Sequence, residues 1–168
     1  MSTAIQGADP AQNEFLASLE AKAKRPNAFF RTMAHRPEVL KNFVPLYGAI
    51  MGPGSVERRV KELVYLTCSY ANQCAYCTAA HTAGASKAGI SESDLQALRA
   101  GQDGPFSAPE RAAISYARDL TRTATAGESR ETLFAHFSQE QIVEITLVAA
   151  MANFTNRFNN GLQVLPEA

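Results

Sequence analysis

Three times in the second half of the chain a serine is followed, three residues on, by a carboxylate or a carboxamide: Ser91 with Asp94, Ser107 with Glu110 and Ser138 with Gln141. The serine hydroxyl can accept from the third helical N–H while the side chain three residues along returns the bond, so two donors left open at a helix start are satisfied reciprocally. Phe137 and Ile142 flank the last pair as a hydrophobic staple. No segment sustains the period-two alternation of a strand. The expected fold class is therefore all-α, a single helical domain.

The first half supports the same reading. Asp9-Pro10-Ala11-Gln12 predicts a helix start with Phe15, Leu16 and Leu19 inward, and Asn27 starts a short turn carrying Phe29, Phe30 and Met33. Pro37 opens a helix through Val39, Leu40, Phe43, Val44, Tyr47 and Ile50, which Pro45 should kink or split. After the breaker Met51-Gly52-Pro53-Gly54, Ser55 is the expected cap of a helix to about Ala71, and a further helix ends near Gly89. The linker from Gly101 to Pro105 is too short for a domain boundary. Residues 9–168 thus read as one domain behind a tail at residues 1–8 expected to be flexible, and 168 residues suffice to bury about 70% of the unfolded surface.

Within this frame Glu62, Cys74, Cys77 and His81 stand in the pattern E-x11-C-x2-C-x3-H, and the chain has only three cysteines. On one continuous helix Cys74, Cys77 and His81 would fall within about 60° of one face. The four-residue step from Cys77 to His81 would let the imidazole bond the thiol or take its proton. Glu62 lies off the apolar stripe of the preceding helix, beside Tyr65 and Ser69, and a turn near Asn72 could fold it back toward the thiols. A free thiol is only about 3% thiolate at neutral pH, so a redox site needs a neighbouring base or a helix N-terminus. The two sources disagree here: a helix start at Asn72 or Gln73 favours Cys74 as the acidic thiol, the histidine favours Cys77.

Other uses of these residues fit less well. Structural zinc sites draw ligands from two separated pairs, and no second pair is present; covalent haem needs C-x-x-C-H, and Thr78 follows Cys77. Cys68 lies on the Val60 and Val64 side of its helix and reads as core. His35 and His136 lie near helix ends with no constellation around them and read as surface groups.

The segment E-L-V-Y-L-T-C-S-Y-A-N-Q-C-A-Y-C-T-A-A-H resembles the alkylhydroperoxidase D-like branch of the carboxymuconolactone decarboxylase superfamily. The resemblance is sharp from about Glu57 to Gly89 and runs more weakly from Pro26 to the C-terminal Asn-Arg-Phe-Asn segment. It implies that Cys77 attacks a hydroperoxide and becomes a sulfenic acid. Cys74 then resolves it to a Cys74–Cys77 disulfide, and Glu62 with His81 forms a proton relay through water. It further implies no bound cofactor, an external dithiol or thiol-protein reductant, and a homo-oligomer, trimeric or hexameric. Tyr76 departs from the pattern, since the best-known peroxidases of this type carry a histidine there. The expected function is a peroxidase acting on organic hydroperoxides or hydrogen peroxide. The alternatives are a disulfide-exchange adaptor, a decarboxylase-like enzyme independent of the cysteine pair, and a non-catalytic oligomeric sensor.

Sixteen basic and sixteen acidic residues cancel without a basic run, so neither nucleic acid nor an anionic membrane is an expected partner. MSTAIQGADP lacks a basic region followed by a long apolar stretch, and no apolar run approaches about 18 residues, so the cytoplasm is the expected location. One further pattern lies near the C-terminus. Asn153, Asn156, Arg157 and Asn160 form a polar helical stripe that could face the thiols, a neighbouring subunit or solvent, the last being the simplest reading. Asn156 and Arg157, with Tyr65 and Tyr76, are the candidates for side chains around the reactive groups.

Overall fold

The computed structural model describes residues 5–167, and among these the chain forms nine α-helices and no strand. A 3₁₀ turn (Pro10–Gln12) precedes α1 (Glu14–Ala23), α2 (Ala28–Met33), α3 (Pro37–Met51), α4 (Arg58–Ala71), α5 (Ala75–Lys87), α6 (Glu92–Ala100), α7 (Ala108–Thr123), α8 (Ser129–Phe134) and α9 (Gln139–Gly161). The chain is a single all-α domain with α4 at its centre. Every residue of α4 from Val60 to Ser69 is buried, including Lys61 and Glu62, because α5, α7 and α9 pack around it.

Two apolar bodies meet across α4. Val60, Val64 and Cys68 join the larger one, with Phe29, Leu40, Phe43, Ile145, Val148 and Ala149. Leu63 and Leu66 join the smaller one, with Ala85, Ile90, Leu95, Leu98, Phe106 and Ile114. Cys68 is fully buried, and burial pushes its thiol up to about 11, so it stays a neutral core group.

All three capping boxes form at α6, α7 and α9. Two of their carboxylates serve twice. Arg59 at the start of α4 donates to Glu110 at 2.6 Å, to Asp94 at 3.2 Å and to the Gly89 carbonyl at 2.6 Å, tying three helix ends together.

Three local expectations are corrected. The first helix is not continuous from Pro10: Asn13 accepts from the Leu16 amide at 3.0 Å and starts α1 anew after the 3₁₀ turn. α3 runs unbroken through Pro45, which is exposed, so that water can serve the Lys41 carbonyl deprived of a donor. Ser55 does not cap α4, whose N-cap is Glu57. Its amide and hydroxyl instead donate to Glu144 of α9 at 2.8 and 2.6 Å. Of the tail at 1–8, residues 1–4 lie outside the described residues; the Ala8 amide donates to the Arg31 carbonyl at 2.9 Å, and Gln6 O meets His35 Nε2 at 2.8 Å.

Candidate active site

α4 and α5 form a hairpin whose turn is made by Asn72, by Gln73 in the left-handed region (φ 53°), and by Cys74 as N-cap of α5. The Cys74 backbone is extended, which turns its side chain off the helix. Its sulfur accepts from the Cys77 amide at 3.2 Å, and Cys74 and Cys77 are joined as a disulfide. The expectation of one reactive face is therefore corrected. Cys77 and His81 line one cavity, whereas Cys74 lines a separate open groove with Tyr70, Gln73, Thr78, Thr82 and Arg99.

The cavity is about 210 Å³ and lies between α2, α3, α4, α5 and α9. Phe29, Phe30 and Phe43 form its apolar part; Tyr47, Arg58, Glu62, Tyr65, Tyr76, Cys77, His81 and Asn159 supply polar groups. Glu62 is fully buried, and its Oε2 lies 2.7 Å from His81 Nδ1, while its Oε1 accepts from Arg58 at 2.5 Å. Burial pushes this carboxyl up, but the His81 hydrogen bond, followed by the charges of His81 and Arg58, outweighs burial and holds it below the ordinary range. A carboxylate there makes Nδ1 the donor and leaves Nε2 as acceptor.

Nε2 meets the Tyr47 hydroxyl at 3.0 Å. The expected bond between imidazole and thiol is thus replaced: His81 spends its second nitrogen on Tyr47, and it shares a cavity with Cys77. Burial raises Tyr47 well above an ordinary phenol, so it acts as a neutral hydroxyl. Tyr65 stacks on the imidazole, with centroids 3.5 Å apart and planes at 15°, and its own hydroxyl pairs with Thr155 at 2.5 Å. Tyr76 lines the cavity, its hydroxyl donates to Asn27 at 3.2 Å, and burial pushes it up to about 12. Gly84 lets α5 lie against the carboxylate: a Cβ there would stand 2.6 Å from Glu62 Oε1.

The C-terminal stripe does not line the thiol cavity: Arg157 and Asn160 are exposed, and its asparagines bond the turn before α5. Asn153 and Asn156 each accept from Asn72 Nδ2 at 2.9 Å, Asn160 donates to the Asn72 carbonyl at 2.7 Å, and Asn156 donates to Ser69 at 3.2 Å. These side chains clamp the turn that places Cys74. Arg157 is exposed and bonds Asn153, so neither it nor Asn156 lines the cavity. Tyr47, Arg58 and Asn159, with Arg25 and Thr155, are polar residues of the cavity that sequence reasoning missed. Asn159 lies one position before Asn160, off the stripe that was followed, and its Nδ2 stands 3.3 Å from Cys77 Sγ.

Comparison with known proteins agrees with this fold. Residues 37–119 match the model of the carboxymuconolactone decarboxylase family. YdfG of Bacillus subtilis, itself uncharacterized, is 29% identical over 109 residues, spanning 62% of this chain and 74% of its own. A structure from Ralstonia eutropha JMP134, described as an alkylhydroperoxidase AhpD core and an uncharacterized peroxidase-related protein, superposes with a TM-score of 0.85 at 21% identity, over 99% of this chain and 94% of that one. A protein of unknown function from Agrobacterium tumefaciens, for which a role in antioxidant defence as an AhpD has been suggested, is 27% identical with a TM-score of 0.72, over 81% of this chain and 95% of its own.

Proposed function

From a chain whose residues 37–119 match the carboxymuconolactone decarboxylase family and whose fold is shared with AhpD-like structures, we infer a member of the alkylhydroperoxidase D-like branch, a thiol-dependent peroxidase that cycles Cys74 and Cys77 between dithiol and disulfide. The observation that carries this reading is the shared cavity: Cys77 opens into the same space as the hydrogen-bonded series Glu62, His81 and Tyr47. Its size, many times the roughly 10–15 Å³ one water needs, and its three phenylalanines suit an organic hydroperoxide better than hydrogen peroxide.

In the reduced protein the Cys77 proton passes to His81 Nε2, through the Tyr47 hydroxyl or a water in the cavity, and Glu62 stabilises the resulting imidazolium. The thiolate attacks the terminal oxygen of the hydroperoxide. The O–O bond breaks, Cys77 becomes a sulfenic acid, and the alkoxide takes the proton back from His81 and leaves as an alcohol. Cys74 then attacks the Cys77 sulfur, water departs, and the disulfide closes. An external dithiol reopens it by exchange and is oxidised to its own disulfide, so no resident cofactor is needed. The exposed apolar residues Leu46 of α3 and Val143, Leu147 and Phe154 of α9 support a homo-oligomer, for which the family resemblance implies a trimer or a hexamer. Among the described residues no helix is long and apolar enough to cross a membrane.

A second reading follows from the separate open groove that Cys74 lines: a disulfide-exchange adaptor. One experiment separates the two. Reduced protein is mixed with one equivalent of cumene hydroperoxide, intact mass is followed, and peroxide loss is compared with free cysteine. The peroxidase loses two hydrogens, mapped to Cys74 and Cys77, far faster than the control reacts. Oxidation no faster than free cysteine removes the peroxidase reading and favours the adaptor, or a decarboxylase-like enzyme if Cys77→Ser retains activity.

A further inference from the structure

Asn159 of α9 donates a hydrogen bond to a reactive sulfur. It is 2% exposed, its Nδ2 lies 3.3 Å from Cys77 Sγ, and it lines the cavity. Its Oδ1 is buried without a hydrogen-bond partner, which is costly for an amide oxygen and rare among natural side chains. A structural asparagine satisfies both ends, as the neighbouring Asn156 does by donating to Ser69 and accepting from Asn72. Asn159 instead gives its donor to a sulfur and holds its acceptor unused beside it.

We propose that Asn159 is a catalytic residue: its amide N–H holds Cys77 as a thiolate, and its amide oxygen receives the O–H of the incoming hydroperoxide. The inference rests on the peroxidase reading and adds to it a binding point for the peroxide's terminal hydroxyl. Cys77 sulfur attacks the oxygen that carries this hydrogen. A new S–O bond forms, the O–O bond breaks, the electron pair leaves with the alkoxide, and the hydrogen stays on the oxygen that becomes the sulfenic acid. Asn159 Oδ1 therefore keeps one partner from peroxide to sulfenic acid, while His81 protonates the alkoxide at the far oxygen. When Cys74 closes the disulfide and water departs, Oδ1 is again without a partner, as seen in the oxidised site.

Other charged and titratable groups line the same cavity and set the background: Tyr47 from α3, Arg58, Glu62 and Tyr65 from α4, Tyr76 and His81 from α5, and Arg25 from the connection before α2. The test therefore changes Asn159 alone and reads two quantities in the reduced protein. One is the pH midpoint of Cys77 alkylation by iodoacetamide. The other is the plateau rate constant with cumene hydroperoxide at high pH, where all Cys77 is thiolate. Asn159→Leu, which removes donor and acceptor at similar volume, is expected to raise the midpoint by about one unit and to lower the plateau about tenfold. Asn159→Asp, which keeps an acceptor and replaces the donor by a charge, should raise the midpoint further and lose less of the plateau. A merely structural asparagine moves melting temperature without moving the midpoint.

An Asn159→Leu protein with the parental midpoint and a plateau within about twofold of the parent overturns the proposal. If that variant does not fold, an unmoved midpoint in Asn159→Asp overturns it alone. An unaltered chain that alkylates but does not react with peroxide sinks the peroxidase reading and with it the amide oxygen's role, leaving the midpoint shift to decide whether the amide N–H holds a thiolate.

Discussion

Lys61 and Glu62 are neighbours on α4, both charged and both buried, and they do opposite things. Lys61 donates to the carbonyls of Ile50 at 3.0 Å and Gly52 at 2.6 Å and pairs with Glu144, which in turn accepts from the amides and hydroxyl of the Ser55-Val56 segment. That cluster closes on itself: it stitches the end of α3, the loop before α4 and α9 into one joint. Glu62, about 100° further round the helix, pairs with His81 and Arg58 at the wall of a cavity, and its partner's second nitrogen leads to Tyr47. A buried charge whose every neighbour is protein holds the fold; one whose chain of hydrogen bonds runs out into a cavity can pass a proton on.

The largest expected effect is at Lys61. Lys61→Met leaves Glu144 and two carbonyls short of a donor and is expected to cost about 3 kcal/mol. Urea unfolding measures it. Peroxide consumption by the folded variant should stay within about threefold of the parent, and a much larger loss would join the two clusters that the structure keeps apart. Glu62→Gln should do the reverse. Without the carboxylate the imidazolium is unsupported, and the rate with hydroperoxide should drop about a hundredfold, roughly 2.7 kcal/mol of barrier, whereas stability falls by only about 1 kcal/mol because Arg58 is half exposed and can turn to water. A Glu62→Gln protein that unfolds easily but reacts at the parental rate would make Glu62 another clamp.

Acid titration gives the smallest and sharpest distinction. Glu62 and Glu144 are both held below the ordinary carboxylate value of 4.5, Glu62 by His81 ahead of Arg58 and Glu144 chiefly by its bond from Lys61, in each case against burial. A carboxyl with a depressed folded value binds its proton more readily when unfolded, so the stability it contributes is complete above about 4.5 and is lost as the pH falls through the folded value. Urea midpoints between pH 6 and pH 3 should therefore decline in the parent and less steeply in either variant: Glu62→Gln lacks one of the two groups, and Lys61→Met frees Glu144 toward its ordinary value. Equal slopes in all three would remove both carboxylates as the source of acid sensitivity.

Much of this was legible because it is local. Capping boxes are read within four residues, and the thiols and His81 lie within one helical turn or two of each other; spacing alone marks them. Glu62 needed only the assumption of a hairpin. Tyr47 and Asn159 escape sequence reading because α3 and α9 reach the cavity by packing, and nothing in their spacing to Cys77 differs from chance; Arg58, four residues before Glu62 on one helix, carried a legible i,i+4 signal. The asparagine stripe of α9 was visible as a pattern, yet its object, the Asn72 turn, lies 81 to 88 residues away in sequence. Cys74 was misplaced for a local reason: the extended N-cap conformation breaks the helical phase that put it on the Cys77 face.

Gly84 carries a lesson for anyone wishing to toughen this protein. It sits inside α5, where glycine costs about 1 kcal/mol relative to alanine, and replacing it looks like the safest thermostabilising edit on offer. The methyl group would arrive 2.6 Å from the Glu62 oxygen, so the gain in helix propensity would be set against displacement of the relay carboxylate. Selection for heat tolerance and selection for turnover would then pull this one position in opposite directions.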